Sequence, residues 1–223
     1  PESLPAERRH DGGLRILLDG TRELARDHVL VRLLFINALS FGLLMAYLSA
    51  APFVLRNVLG MGTVVYTAVF GLCGATVTVT IAVAASLVRR FSQARQVRVG
   101  LIAGLVVDTV FAGVCLTWLR EPVTGPERMP LLVAVVALFL AHVACLGLSM
   151  GNAPALALDR TGRWAGTGSA LLGFLQFVVG GLVSPLVGLT GEASGVAFGV
   201  VIVAVGAAAN VLAVFGLRDR GEK

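Results

Sequence analysis

The chain has 223 residues, of which 57% are hydrophobic and 14% charged, against roughly 45–50% and roughly 25% in an ordinary soluble domain. So few charges cannot coat a water-soluble surface, and so apolar a chain is not disordered. The formal net charge of +5 rests on arginine, with Lys223 the single lysine; no base-stacking aromatics interleave with a basic groove, so nucleic acid is not an expected partner.

In chain order, residues 1–28 read as a cytoplasmic linker. Within it, residues 11–28 place Leu14, Leu17, Leu18, Leu24 and Ala25 near one helical face, which predicts an amphipathic helix lying in the membrane interface. The chain opens on Pro1 rather than Met and shows no cleavable signal pattern, so the expectation is a start in the middle of a longer chain. Six apolar stretches follow, each near the ~20 helical residues that cross about 30 Å of hydrocarbon. They cover 29–51, 64–88, 99–119, 131–150, 165–189 and 195–217, and residues 218–223 form a cytoplasmic tail. The runs are continuously apolar rather than alternating, which predicts helices and not barrel strands. Among the charged side chains, Arg32 and Asp108 alone fall inside the spans. Fourteen Lys and Arg lie on the side of the termini, against Arg56, Arg120 and Arg128 on the other, so the positive-inside bias places both termini in the cytoplasm.

The polar residues within the spans carry any chemistry. In the first span Arg32 is close enough to the interface to snorkel, as an anchor or a gate. Asn37 and Ser40, followed by Leu44 and Tyr47, form a mixed face suited either to a substrate cavity or to local helix packing. Ala38, Gly42, Ala46 and Ala50 repeat every four residues, a stripe for close helix contact. Thr76, Thr78 and Thr80 in the second span are expected to bond carbonyls one turn back, with no further role. In the third, Gly100, Gly104 and Asp108 share a face, so Asp108 points into protein. It reads as a proton-coupling carboxylate or as a hydrogen-bonded structural acid.

Gly147-Leu148-Ser149-Met150-Gly151 matches a nucleophile-elbow pattern, with His142 nearby. Seven residues on one helix separate that histidine from the serine by about 10 Å, too far for a base and its nucleophile. No enzyme is expected, and His142 reads as a packed polar residue or part of a cavity wall. The fifth span carries a polar stripe of Ser169, Gly173, Gln176, Gly180, Ser184 and Gly188, in which Gln176 lines a cavity or bonds a neighbouring helix. Pro185 is expected to kink that span. Cys73, Cys115 and Cys145 stand singly in apolar runs, so neither a disulfide framework nor a metal site is expected.

Several stretches resemble the bicyclomycin and chloramphenicol resistance (Bcr/CflA) family of drug:proton antiporters, within the major facilitator superfamily. Pro-Glu-Ser-Leu-Pro-Ala-Glu-Arg-Arg at 1–9 is similar to the start of that family's central cytoplasmic loop. Ala-Tyr-Leu-Ser-Ala-Ala-Pro-Phe-Val-Leu at 46–55 resembles the end of its seventh span, and residues 165–189 resemble the eleventh. Leu-Val-Arg-Arg-Phe at 87–91, followed by Arg95 and Arg98, is similar to the second copy of the superfamily's basic loop, with Ser92 where a glycine is usual. The resemblance aligns the whole chain with the C-terminal six-span half. It implies an all-α membrane fold, 29–217, of two inverted three-helix repeats, and alternating-access exchange of small amphipathic drugs for protons. The partners implied are the lipid bilayer of a bacterial inner membrane and a missing N-terminal six-span half, with no cofactor. The expected cavity residues are Asn37, Ser40, Phe41, Tyr47, His142 and Gln176, and the expected basic-loop residues Arg89, Arg90 and Arg95. By resemblance Asp108 lies on an outer supporting span, which favours the structural reading of that acid. Two alternatives remain: a six-span membrane subunit that transports nothing, or an exporter of a small metabolite from another major facilitator subfamily.

Overall fold

The computed structural model describes residues 14–191 and 194–216. The family-like stretch 1–9, the tail 218–223 and the side chains of Leu14 and Arg15 lie outside the described residues. A short helix α1 (Leu14–Leu24) precedes α2 (His28–Pro52), α3 (Thr63–Leu87), α4 (Gln93–Thr117), α5 (Arg128–Leu158), α6 (Ala165–Leu186) and α7 (Val196–Gly216). Six of these, α2 to α7, are long and apolar enough to cross a membrane. The chain is a multi-pass all-α membrane protein, and helices are the form in which such runs satisfy their own backbone in hydrocarbon.

Three boundaries differ from the sequence reading. The first span does not stop at 51: α2 runs through Pro52 and widens into a π-helical stretch, Phe53–Val58, whose Val54, Leu55 and Val58 stay buried. The wider turn absorbs the missing proline N–H without breaking the rod. The fourth span continues past 150 through Pro154 to Leu158, and Asn152 in that extension donates its side-chain amide to Leu148 O at 2.9 Å. The third span starts at Gln93, because Ser92 accepts from Arg95 N and caps α4. Ser92, which stands where the resembled basic loop usually has a glycine, is therefore a helix cap. Pro185 sits in the last turn of α6, so it closes the helix instead of kinking its middle.

The hydrophobic effect does not drive helices together in lipid, so tight packing must hold the bundle. Helix α2 packs on α5, α6 and α7, α5 packs on α2, α3 and α4, and α4 packs on α7. Exchanging α2, α3 and α4 with α5, α6 and α7 maps these contacts onto one another: α2–α6 onto α5–α3, and α4–α5 onto α7–α2. Tyr47, Phe111, Phe139 and Phe198 bring one ring each from α2, α4, α5 and α7. Phe111 meets Phe139 at 4.8 Å and Phe198 at 5.1 Å, edge to face, and Tyr47 meets Phe139 at 5.4 Å. The small stripe of α2 is fully buried, with Gly42 facing Val179 and Val183 of α6. By contrast, the most apolar stretches of α3 and α6 are only 11% buried, against 33% or more for the other spans.

At the end of the bundle carrying the α2–α3 and α4–α5 connections, Arg128 Nε donates to Leu59 O at 2.7 Å and its Nη2 to Gly60 O. Gly60 takes φ +61, a region that glycine enters without a Cβ clash.

Close approach depends on residues with no side chain. A Cβ on Gly100 would stand 2.8 Å from Leu148 Cβ and 2.9 Å from Cys145 O, whereas one on Gly113 would meet nothing within 4 Å. Gly100→Ala is expected to destabilise the bundle by about 1–3 kcal/mol through overpacking, and Gly113→Ala to leave it unchanged or slightly firmer. Thermal unfolding of the purified variants in detergent checks this; equal melting of the two would contradict the packing described.

Candidate functional site

The polar side chains of the membrane interior gather in the seam between α4 and α5. Gln96, Gly100, Gly104 and Asp108 recur every four residues on α4, so one face carries a polar residue at each end and two glycines between. Opposite it, α5 presents His142, Cys145, Ser149 and Asn152. Asp108 Oδ1 and His142 Nδ1 lie 2.5 Å apart, each side chain 1% exposed. Toward the α3–α4 connection, Ser149 faces Gly100, and Asn152 donates to Gln96 Oε1 at 3.3 Å. Gln96 in turn donates to Phe91 O at 3.2 Å, in the connection itself.

Helix α7 closes the third side. Gly206 sits against Asp108 Oδ2, and Asn210 donates to Leu101 O of α4 at 2.9 Å. A narrow crevice runs along this seam, reaching Leu43 of α2. Two buried atoms on it, His142 Nε2 and Ser149 Oγ, find no hydrogen-bond partner among the described residues. His142 is engaged by Asp108 and lies two turns from Ser149 on the same helix, so the two do not meet as base and nucleophile.

The other expected cavity residues spread over the faces of α2 and α6. Asn37 and Ser40 are fully buried in the bundle, and their side chains have no partner among the described residues. Tyr47 is buried too, stacked on Phe70 of α3 at 5.8 Å. Phe41 is half-buried, edge-on to Phe177 of α6, and shares with Leu44 and Leu48 a strip of α2 that is not closed over. Gln176 is half-buried on α6. Within its stripe, Gly180 touches Phe41 and Met45, and Ser184 bonds Ser49 at 2.6 Å, so this part of the stripe packs on α2. The threonines of α3 bond backward: Thr76 to Leu72 O, Thr78 to Gly74 O and Thr80 to Thr76 O.

Arg89, Arg90 and Arg95 are exposed, with Arg95 stacked 5.3 Å from the Phe91 ring centre. The same end of the bundle is stitched by ion pairs. Arg163 reaches Glu23 of α1 at 2.7 Å, and Arg160 reaches Asp27 at 2.7 Å. The hydrogen bond from Arg163, with a second from Trp164, holds the Glu23 carboxyl below its ordinary range. At Asp27 burial pushes upward, but the Leu30 amide that it caps and the Arg160 guanidinium outweigh it, and the carboxyl is lowered. Arg32 donates to Phe215 O at 2.7 Å, placing a cation on the C-terminal carbonyls of α7.

Over 220 residues, 97% of the chain, the sequence is 27% identical to the uncharacterized MFS-type transporter YdgK of Bacillus subtilis (strain 168). The chain spans about half the length of this curated relative. It is a distant homologue of an MFS-type transporter. No family model matches the sequence, and no solved structure matches it. Similarity and fold point to a transporter rather than to a catalytic protein.

In such a bundle the Asp108–His142 contact carries an energetic signature. His142→Leu strands a buried carboxyl and is expected to cost about 3–5 kcal/mol, whereas Asp108→Leu combined with His142→Leu costs less than the sum of the two single changes. A double-mutant cycle on unfolding in detergent measures the coupling; strict additivity would mean that the contact contributes nothing.

Proposed function

We propose that the chain is the C-terminal six-span half of a proton-coupled multidrug efflux transporter of the bacterial inner membrane. It supplies one wall of a cavity that opens alternately to the two sides. The observation that carries this reading is the alignment of nearly the whole chain with about half of an MFS-type transporter. The contact pattern supports it, because two three-helix units related by an exchange of α2–α4 with α5–α7 are what an inverted repeat produces. Since three spans is an odd number, the second unit enters the membrane upside down relative to the first.

In this reading α3 and α6, the least buried spans, face the N-terminal half. Both termini lie in the cytoplasm, on the side of the arginine-rich connections. Phe41 and Gln176 reach the cavity wall, while Asn37, Ser40, Tyr47 and His142 lie behind it and shape its floor. Arg89, Arg90 and Arg95 serve the cytoplasmic gate. Amphipathic drug-like molecules suit a wall that is apolar with few hydrogen-bonding groups.

Drug efflux by cells expressing this chain alone, the N-terminal half alone, both halves together, or the two joined tests the reading. The two single chains are expected to be inactive, and the pair and the joined protein active. Robust efflux by this chain alone would contradict the role of a single wall, and absence of efflux from the well-expressed joined protein would contradict the transport reading.

A further inference from the structure

We propose that Asp108 and His142 form a proton-binding site at mid-membrane, buried between α4 and α5, with His142 Nε2 as the atom that takes up the proton. The proposal rests on the transporter reading only for its claim that the bound proton is coupled to substrate movement.

Charge is the first argument. Asp108 and His142 are both 1% exposed and share a hydrogen bond. When His142 donates its Nδ1–H to an ionised Asp108, the pair holds one net negative charge. The surrounding helices do not offset it: α2 offers Leu43, α7 offers Gly206 and α5 offers Leu146 beside Cys145. Cys145 is the other titratable group on the crevice, and a thiol can add only negative charge; neither α3 nor α6 contributes to the lining. An uncompensated charge in this setting is costly, and one proton removes it. The proton leaves a hydronium in the crevice, its O–H bond breaks, and an N–H bond forms at His142 Nε2, releasing water. The pair is then net neutral, as imidazolium with carboxylate or as imidazole with carboxylic acid.

The second argument is the atom that receives the proton. Nε2 of His142 is buried on the crevice without a hydrogen-bond partner among the described residues, and so is Ser149 Oγ. Buried polar atoms of this kind hold ordered water. Ser149 lies about 10 Å along α5 from His142. Between these two atoms α4 and α5 close on each other at Gly100, where a Cβ would stand 2.8 Å from Leu148 Cβ, so the pair is sealed within the seam. Toward the α3–α4 connection, Asn152 donates to Gln96 and Gln96 to Phe91 O, beside exposed Arg89, Arg90 and Arg95.

The site also sits where its charge state can matter. Asp108 belongs to the first three-helix unit, His142 and Gly206 to the second, so taking up a proton alters the bond joining the two. A purely structural latch would use the same hydrogen bond and never change its protonation.

The experiment is infrared difference spectroscopy of the joined full-length protein in lipid nanodiscs, between acid and alkaline pH, with ring-labelled histidine. The expected result is a linked histidine and carboxyl change that disappears in both Asp108→Asn and His142→Gln, the second of which retains a donor to Asp108 and so preserves the fold. A wild-type spectrum without these bands, or their persistence in folded Asp108→Asn, would overturn the proposal. Proton flux driven by drug gradients in proteoliposomes separates the two claims. Intact bands without flux would uphold the site and sink the transport reading. Normal drug-driven flux in Asp108→Asn would show that the proton bound here is not the coupled one, and would overturn the proposal's coupling claim.

Discussion

The contact between Asp108 and His142 fixes how α4 and α5 are turned about their axes. Neither side chain can face hydrocarbon, so each must be aimed at the other or at a protein-lined space. Once Asp108 points at α5, the four-residue repeat on α4 carries Gly104, Gly100 and Gln96 onto the same side. The glycines then set the distance of approach, and Gln96 finds Asn152. One turn to the other side of the pair, Phe111 and Phe139 meet edge to face and draw in Phe198 of α7. The polar pair and the aromatic cluster are neighbouring layers of one seam.

That seam joins the first three spans to the last three. Helix α4 closes the first three and α5 opens the last three, and the α2–α7 contact is its counterpart under the same exchange. At the far sides of the bundle, α3 and α6 each pack mainly on one neighbour, α5 and α2 respectively. Their outward faces are rich in large apolar side chains such as Leu72, Val79, Phe174 and Phe177. In the proposed transporter these are the faces on which the N-terminal half sits.

Much of this architecture was legible in the sequence because hydrocarbon thickness dictates span length, and the span boundaries mostly agree within a few residues. The exceptions have local causes. The sequence reading ends the first span at 51 and the fourth at 150, yet α2 and α5 continue through Pro52 and Pro154, which membrane helices tolerate. Ser92 read as a departure from a glycine pattern, and its role as a cap appears only with the backbone in place. Asp108 and His142 were each singled out, but not as partners. A signal for the pairing was present: counted from 119 and 131, the facing ends of the third and fourth spans, both lie eleven residues in. Two polar residues at equal depth on consecutive spans are candidates for contact. The burial of Asn37, Ser40 and Tyr47 was not legible, because a helical face gives no hint of which neighbour will cover it.

The proposed transporter requires that a second bundle cover α3 and α6. Spin labels at Val79 and Phe174, read by their collisions with oxygen dissolved in the lipid, test this most directly. With a second bundle on these faces, both sites are strongly exposed to lipid when this chain is alone in a bilayer and markedly shielded when the N-terminal half is present. Equal exposure in the two samples would contradict it.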